Sequence, residues 1–405
     1  MKNKKKSHIL VVSQYFYPEQ FRINDICKEW IRRGYQVTVI TGIPNYPHGK
    51  YYRGYGILKR RRECYKGIDI IRLPLVPRGN HSIMLALNYV SFVVSGFLWK
   101  ICTKIKADYV FIFEVSPMTQ ALPGVWYARR RKIPCYLYVQ DLWPENVEII
   151  TGITNRKIIG SIGKMVDYIY KRCTRIFTTS ESFVQTIHLR GVPLSKIEYW
   201  PQYAEDFYRP IEIKQEEMAE DFQIVFAGNI GHAQGLDILP KVAKLLKEKK
   251  GSLPKIQFKV IGDGRYKDTL LQLIEKADVA DMFCFIPKQP AEEVPQYIAA
   301  GKAAFLCLTD SPLLAMTIPA KLQSYMACGI PIIASANGET ANIIEIAKAG
   351  VISPAGDEKK LAEKIIELAS LKQSELKSIG NNAKQYYDTH FDKEKLLDTM
   401  DKYFS

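Results

Sequence analysis

Lys321 stands in a stretch whose residue types suit phosphate chemistry, TIPAKLQSYMACGIPIIASANGETANIIE, residues 317–345. Pro319 can open a helix, because its missing N–H would lack a partner there anyway. Leu322, Tyr325 and Met326 recur at helical spacing, Gly329 closes the segment and Pro331 blocks its continuation. A buried strand is expected over 330–334, then the polar turn Ser335-Ala336-Asn337-Gly338-Glu339 and a second helix from Thr340. An ammonium beside positive helix ends and free backbone N–H groups favours a phosphate. An ordinary α/β unit with a solvated lysine fits the same spacing. A related pattern opens at Phe222: a strand to Ala227, then Gly228-x-x-Gly231 and a helix from Gly235. Glycines there let the main chain approach a phosphate. Residues 258–264 give another strand and a glycine turn at Gly262. Asp141 offers different chemistry. It follows the predicted strand Cys135–Val139 in Gln140-Asp141-Leu142-Trp143-Pro144-Glu145, where a carboxylate can take a proton from a hydroxyl or simply cap a turn.

These residues need two frameworks. A chain of 405 residues is long for one core, and two domains of about 200 residues are the natural expectation. Strand, helix and strand within the first 41 residues give a doubly wound opening, with ligands expected at the C-terminal ends of the strands. Residues 201–221 read as a linker, and there the charge reverses. Residues 1–200 hold 32 Lys/Arg against 13 Asp/Glu, whereas the remainder holds 25 against 29. The basic excess belongs to the first half and suits an anionic partner: a membrane surface, a pyrophosphate or a nucleic acid. A solvated basic surface is the plainer alternative. Eight scattered cysteines without a C-x-x-C pair and six dispersed histidines fit a reduced compartment and no structural zinc. The lysine-rich start precedes only a strand-length apolar run, so no secretory leader is expected. Ile83–Trp99 is 17 residues without a charge, flanked by Arg78, Lys100, Lys104 and Lys106. It is short for a span and contains Asn88, Ser91 and Ser95, so a core helix or one lying in a membrane interface is expected.

The 317–345 stretch resembles the donor-sugar signature of GT4 retaining GT-B glycosyltransferases: a small residue and Pro, then Lys, Tyr-Met-Ala, Gly and Pro in the order seen here. The likeness is greatest to the bacterial branch that builds capsule and O-antigen units, which includes N-acetyl-L-fucosaminyltransferases. The resemblance implies an α/β GT-B fold of two Rossmann-like doubly wound domains facing a cleft. Residues 1–205 would take the acceptor and face the membrane, 206–390 would bind the nucleotide sugar, and the helix in 391–405 would cross back to the first domain. It further implies retaining transfer of an N-acetylamino or deoxyamino sugar from a UDP-sugar to a polyprenyl-diphosphate-linked saccharide. No metal or other cofactor is implied, and the expected place is the inner face of the plasma membrane.

Residue by residue, the resemblance makes Lys321 the cation on the departing diphosphate and Asp141 the candidate base. Asn229, Gly231 and Gln234 fall in its diphosphate loop, Gly262, Ile286 and Pro287 near the base, and Ser324, Gly338, Glu339 and Thr340 around the sugar. Arg22, Asn24, Asn45 and Tyr46 fall in loops assigned to the acceptor, where tyrosine rings can stack on sugars; Asn24 also suits a helix cap. Several positions depart from the family. Met316 and Ser324 replace two frequent glutamates, which leaves Glu339 as the candidate sugar ligand. Asn229 and Gln234 stand where Arg and Lys are common, and Phe21-Arg22-Ile23-Asn24 replaces a Gly-Gly pair. Two other functions are weaker fits. A UDP-sugar 2-epimerase needs cleft carboxylates and histidines that are scarce here. A nucleic-acid-binding protein needs a helix-turn-helix, zinc or aromatic RNA-binding motif, and none is found.

Overall fold

The computed structural model describes residues 7–79, 81–147, 152–213, 221–249 and 254–404; the lysine-rich start at 1–6 and the expected acidic linker run at 214–220 lie outside them. The chain divides into two compact units, Met1–Trp200 with Met400–Ser405, and Pro201–Thr399.

In the first unit the strands are β1 (His8–Val12), β2 (Gln36–Gly42), β3 (Arg62–Tyr65), β4 (Ile68–Leu73), β5 (Tyr109–Glu114), β6 (Cys135–Val139), β7 (Arg175–Thr178) and β8 (Ile197–Tyr199). They form one sheet in the order β3-β4-β2-β1-β5-β6-β7-β8. Among the strand pairs of the described residues in this sheet, only β3–β4 is antiparallel. The central strands are apolar on both faces because crossover helices cover both, so Ile9 to Val12 and Val110 to Ile112 are wholly buried. The helices are α1 (Arg22–Arg32), α2 (Ser82–Cys102), α3 (Ala121–Arg131), α4 (Arg156–Arg172) and α5 (Glu181–Leu189). From β1 the chain builds outward to β3, then returns to lay β5 on the other edge of β1. That reversal opens a crevice at the C-terminal ends of β1 and β5, where such sheets hold ligands.

α2 is built inside out. Its inner face carries the polar groups: Asn88 Nδ2 donates to the Val76 carbonyl at 2.6 Å, Ser91 Oγ accepts from Val76 N at 2.8 Å, and Ser95 Oγ donates to the Pro74 carbonyl at 2.5 Å. These three side chains satisfy backbone groups of the segment leaving β4, which no strand pairs. Gly96 lets α2 press on α3, since a Cβ there would come within 2.2 Å of Pro123. The outer face is a stripe of Ile83, Leu87, Val90, Val94, Leu98 and Ile101, each at least 47% exposed. Only 22% of its most apolar window is buried, and the helix is long and apolar enough to cross a membrane.

The second unit holds β9 (Phe222–Ala227), β10 (Ile256–Ile261), β11 (Phe283–Ile286), β12 (Ala303–Cys307), β13 (Ile332–Ser335) and β14 (Gly350–Ser353). All are parallel, in the order β11-β10-β9-β12-β13-β14, so its crevice lies between β9 and β12. Helices α6 (Ile238–Glu248), α7 (Ala320–Cys328), α8 (Glu339–Ala347), α9 (Gln373–His390) and α10 (Lys393–Asp401) belong mainly to it. Pro319 caps α7 rather than entering it, and Gly329 ends it in the left-handed region at φ 67°. The strand after it starts at Ile332, two residues later than expected, because Ile330 and Pro331 make the turn. α6 starts three residues beyond Gly235, since His232–Gln234 forms a 3-10 turn that Gly235 closes at φ 56°.

The grouping changes inside α10, at Met400. Phe404, 2% exposed, meets Trp30 edge-on at 5.3 Å and packs on Tyr35, Tyr109 and Tyr136 of the first unit. Arg33 Nη1 bonds Asp401 at 2.8 Å beside it. Phe404→Ala therefore removes a keystone of that aromatic cluster. A loss of about 3–5 kcal/mol in denaturant unfolding of the first unit is expected; a change under ~1 kcal/mol would show that the tail merely lies on the surface.

Candidate functional site

In the second unit, the ends of β9, β10 and β12 and the start of α7 converge on Lys321. Its ammonium lies 4.0 Å from the centroid of the Phe226 ring. A Cβ at Gly228 would approach its Cε to 2.7 Å, so only glycine, here at φ 145°, leaves the lysine room against the loop. Among the described residues Lys321 has no hydrogen bond and no ion pair. Burial pushes its pKa down to about 7. The loops around it pack main chain on main chain. A Cβ at Gly262 (φ 142°) would sit 2.0 Å from the Gly228 carbonyl oxygen, and one at Gly338 (φ 63°) would sit 2.1 Å from that of Ala315. Tyr325, read from sequence only as apolar helix face, also tethers α7 to β9: its hydroxyl accepts from Ala227 N at 3.1 Å. Neither Pro319 nor Gly338 provides a side-chain cap, so α7 and α8 present their first turns without one. An uncompensated cation among bare helix ends and glycine turns suits a diphosphate.

The other residues expected around the donor divide by what holds them. Gln234 Oε1 accepts from Gly231 N at 3.1 Å, which fixes the loop, while Asn229 is exposed beside it. The Ile286 carbonyl accepts from Gly262 N at 3.1 Å, which sets Ile286 and Pro287 next to that turn. Ser324 Oγ donates back to the Ala320 carbonyl at 3.1 Å, and Thr340 Oγ1 to the Thr317 carbonyl at 3.0 Å. Both hydroxyls clasp the protein itself. Glu339 heads α8 and is half-buried.

In the first unit, Asp141 follows β6 beside the β1/β5 crevice. Its Oδ2 accepts from Ser116 N at 2.7 Å and from Ser116 Oγ at 2.8 Å, and Trp143 Nε1 donates to the same hydroxyl at 3.1 Å. Asp141 therefore ties two strand ends together rather than capping its own turn, and Oδ1 has no hydrogen bond. Burial pushes its pKa up. Glu114, fully buried at the end of β5, is pushed well above the carboxylate range by burial and by the charge of Asp141, with the backbone N–H groups of Asp141 and Gln140 acting against that rise. Of the two, Asp141 is the less buried and so the candidate to meet a hydroxyl.

Of the acceptor-loop residues, Tyr46 remains open, 37% exposed, its ring 5.5 Å from those of Tyr15 and Phe21. Asn45 is 1% exposed and wholly engaged: its Nδ2 donates to the Ile43 carbonyl at 2.8 Å and its Oδ1 accepts from Arg78 N at 2.9 Å. Asn24 is not the cap of α1, whose cap position is Phe21; its Nδ2 donates to the Glu19 carbonyl at 2.7 Å. Arg22 faces Tyr138. Sequence reasoning missed Glu19, Tyr15 and Tyr89, which carry no motif. Arg78 was visible only as a flank of the apolar run. Glu19 accepts from the backbone N–H groups of Asn45 and Tyr46, both at 2.7 Å, and burial raises its pKa to about 7. Among the described residues no group of three or more His, Cys, Asp or Glu could hold a metal ion.

Residues 20–202 match the family described as Glycosyl transferase 4-like domain, and 209–386 match Glycosyl transferases group 1. The chain is 23% identical to the Escherichia coli putative colanic acid biosynthesis glycosyl transferase WcaI, over 74% of this chain and 75% of that protein. It is 24% identical to the Pseudomonas aeruginosa probable glycosyltransferase WbjE, over 82% of each. Among solved structures it resembles Anabaena Alr3699/HepE in complex with UDP and glucose, with TM-score 0.71, 14% identity and 98% of each chain covered. That likeness shows the GT-B fold.

Two outcomes are expected for Lys321. A diphosphate beside it restores the ordinary lysine pKa, so nucleotide binding at pH 8 takes up protons. Calorimetry in two buffers of different ionisation enthalpy measures this, and no proton exchange would refute it. Lys321→Met should abolish nucleotide binding yet raise Tm by about 2–4 °C, since ~1 kcal/mol of desolvation cost is removed. The folded pKa lies below the unfolded one, so that cost is full below pH 7 and fades above it. The gain in Tm should accordingly be larger at pH 6 than at pH 9.

Proposed function

The chain belongs to the group 1 and 4-like glycosyltransferases, and from that premise we propose that it is a retaining enzyme of surface-polysaccharide synthesis. The donor is a UDP-sugar, of the N-acetylamino or deoxyamino class as in the fucosaminyltransferase branch, and the acceptor is a saccharide on polyprenyl diphosphate. Relatives named for colanic acid biosynthesis support the polymer class. The UDP bound by the Anabaena protein of the same fold supports a uridine nucleotide. The observation that carries the reading is the ammonium of Lys321, without a hydrogen-bond or ion-pair partner among the described residues, held against Phe226 and the glycine turn at the β9/β12 crevice.

In this reading the sugar–oxygen bond to the diphosphate breaks, and negative charge grows on the departing oxygen. Lys321 and the uncapped first turns of α7 and α8 stabilise that charge, already oriented before it develops. Asp141 Oδ1 takes the proton of the attacking hydroxyl, while Ser116 holds Oδ2 in place. The tyrosines around Tyr46 hold the acceptor sugar. No metal ion or other cofactor enters. The exposed stripe of α2, with Lys100, Lys104 and Lys106 beyond it, supports peripheral attachment to an anionic membrane on its cytoplasmic side.

Titration with UDP, GDP, ADP and UMP, without added metal, tests the donor. UDP is expected to bind with Kd on the order of 1–10 µM and UMP at least tenfold more weakly; a preference for GDP, or no binding, would end the UDP-sugar assignment. For the membrane, Val90→Asp with Val94→Asp replaces side chains that are already exposed. Tm should stay within ~1 °C, while sedimentation with phosphatidylglycerol vesicles falls severalfold. Undiminished sedimentation would remove α2 from the membrane contact.

A further inference from the structure

Arg78 lies between β4 and α2, at the same edge of the sheet as Asp141. Its main chain is pinned by a run of buried amides. Gln120 Oε1 accepts from Gln14 N at 2.6 Å, Gln14 Nε2 donates to Asn88 Oδ1 at 2.6 Å, and Asn45 Oδ1 accepts from Arg78 N at 2.9 Å. The side chain is half-buried among aromatic groups. Nη1 donates to the Tyr15 hydroxyl at 3.2 Å, and Cζ lies 5.4 Å from the Tyr46 ring centroid. Among the described residues no carboxylate pairs with it. Glu19, the acid facing Tyr15, is already engaged with backbone N–H groups through both oxygens. A half-buried guanidinium that lacks an anion is completed by an anionic ligand.

A second observation points the same way. Tyr89, on the inner face of α2, lies within electrostatic reach of both Arg78 and Asp141; its hydroxyl is buried and has no hydrogen-bond partner among the described residues. An orphaned donor near a cation and the candidate base marks a place where ligand oxygen belongs. Five residues past Arg78 the exposed apolar stripe of α2 begins at Ile83, which is 76% exposed. The ligand that fits is a phosphate ester on a long aliphatic chain. A membrane phospholipid and a lipid-linked acceptor share that chemistry, but the neighbouring Asp141 and Tyr46 favour the acceptor.

We infer that Arg78 and the Tyr89 hydroxyl bind the diphosphate of a prenyl-linked acceptor, whose hydrocarbon chain follows the outer face of α2. The choice of acceptor over phospholipid rests on the transferase reading of Asp141; the anion site does not. Phosphate oxygens accept from the guanidinium and from Tyr89, and the first sugar is left beside Asp141. Arginine suits this task, since its planar fork matches phosphate geometry.

Farnesyl diphosphate is the probe, titrated into the full chain beside inorganic pyrophosphate. The wild type should bind farnesyl diphosphate at least tenfold more tightly than pyrophosphate. Arg78→Gln should weaken it by about ten- to a hundredfold and Arg78→Lys by less, with UDP affinity and phosphatidylglycerol-vesicle sedimentation unchanged. Ile83→Glu, at a site too exposed to threaten folding, should weaken farnesyl diphosphate and leave pyrophosphate alone. Should Arg78→Gln fail to fold, as lost UDP binding and Tm would reveal, Ile83→Glu and Arg78→Lys carry the test. Equal farnesyl diphosphate affinity in Arg78→Gln and wild type would overturn the inference. So would a matching loss of vesicle binding, which would make Arg78 a headgroup contact. Arg78-dependent farnesyl diphosphate binding by a chain that ignores UDP would uphold this site while removing the UDP-sugar donor.

Discussion

The second unit depends on a half-buried ammonium that has no counterion among the described residues. Lys321 is kept against Phe226 by α7, which Tyr325 fastens to the last residue of β9. Neither the lysine nor the Gly262 turn could approach so closely if Gly228 had a side chain or a different main-chain path. The unfavourable desolvation is tolerated because the surrounding sheet is buried on both faces and supplies the folding free energy. What the site lacks is negative charge, and the sequence withholds it at two further places. Met316 and Ser324 stand where family members often carry glutamates, so no acid offsets Lys321 before a ligand arrives. A diphosphate gains more from such a site than from a lysine already paired.

The first unit meets a similar demand by different means. Its loops are long and irregular where they leave the strand ends, and their backbone groups cannot all find partners in the sheet. Asn45, Asn88 and Gln120 supply them from side chains, as do Glu19, Ser91 and Ser95. This requirement turns α2 inside out. With its polar residues needed inward, apolar ones are left outward, and such an exposed stripe is uncommon for a helix facing only water.

Much of the fold was legible because parallel strands buried on both faces are continuous apolar runs, and because Gly329 and Gly235 end their segments with φ values that favour glycine. Lys321 was legible for the same reason: it sits one residue inside a helix whose limits Pro319 and Gly329 announce. The basic flanks let α2 be read as an interface helix as well as a core helix, but the task of its polar positions appeared only with their carbonyl and amide partners at 74–76. Asn45 and Thr340 were chosen as polar residues in promising loops, yet their side chains hold the protein together. Arg78, Tyr89 and Glu19 escaped because their meaning lies in partners far off in sequence, and no spacing rule reports a missing counterion.

Seen together, the two crevices use one physical device with different cations. Each holds a positive side chain against aromatic rings, without a carboxylate, at the point where its sheet reverses direction. The cations differ in one property. Lysine's charge yields to desolvation, and that of Lys321 is half lost near neutrality, whereas a guanidinium keeps its charge throughout the physiological range. In the proposed reading, the Lys321 side responds to pH and to the arrival of its own ligand, and the Arg78 side does not. That asymmetry suits a transfer in which the diphosphate bound by Lys321 gains charge as the sugar leaves, while a diphosphate bound by Arg78 only anchors. A titrating lysine responds where charge changes, and a fixed arginine suffices where it does not.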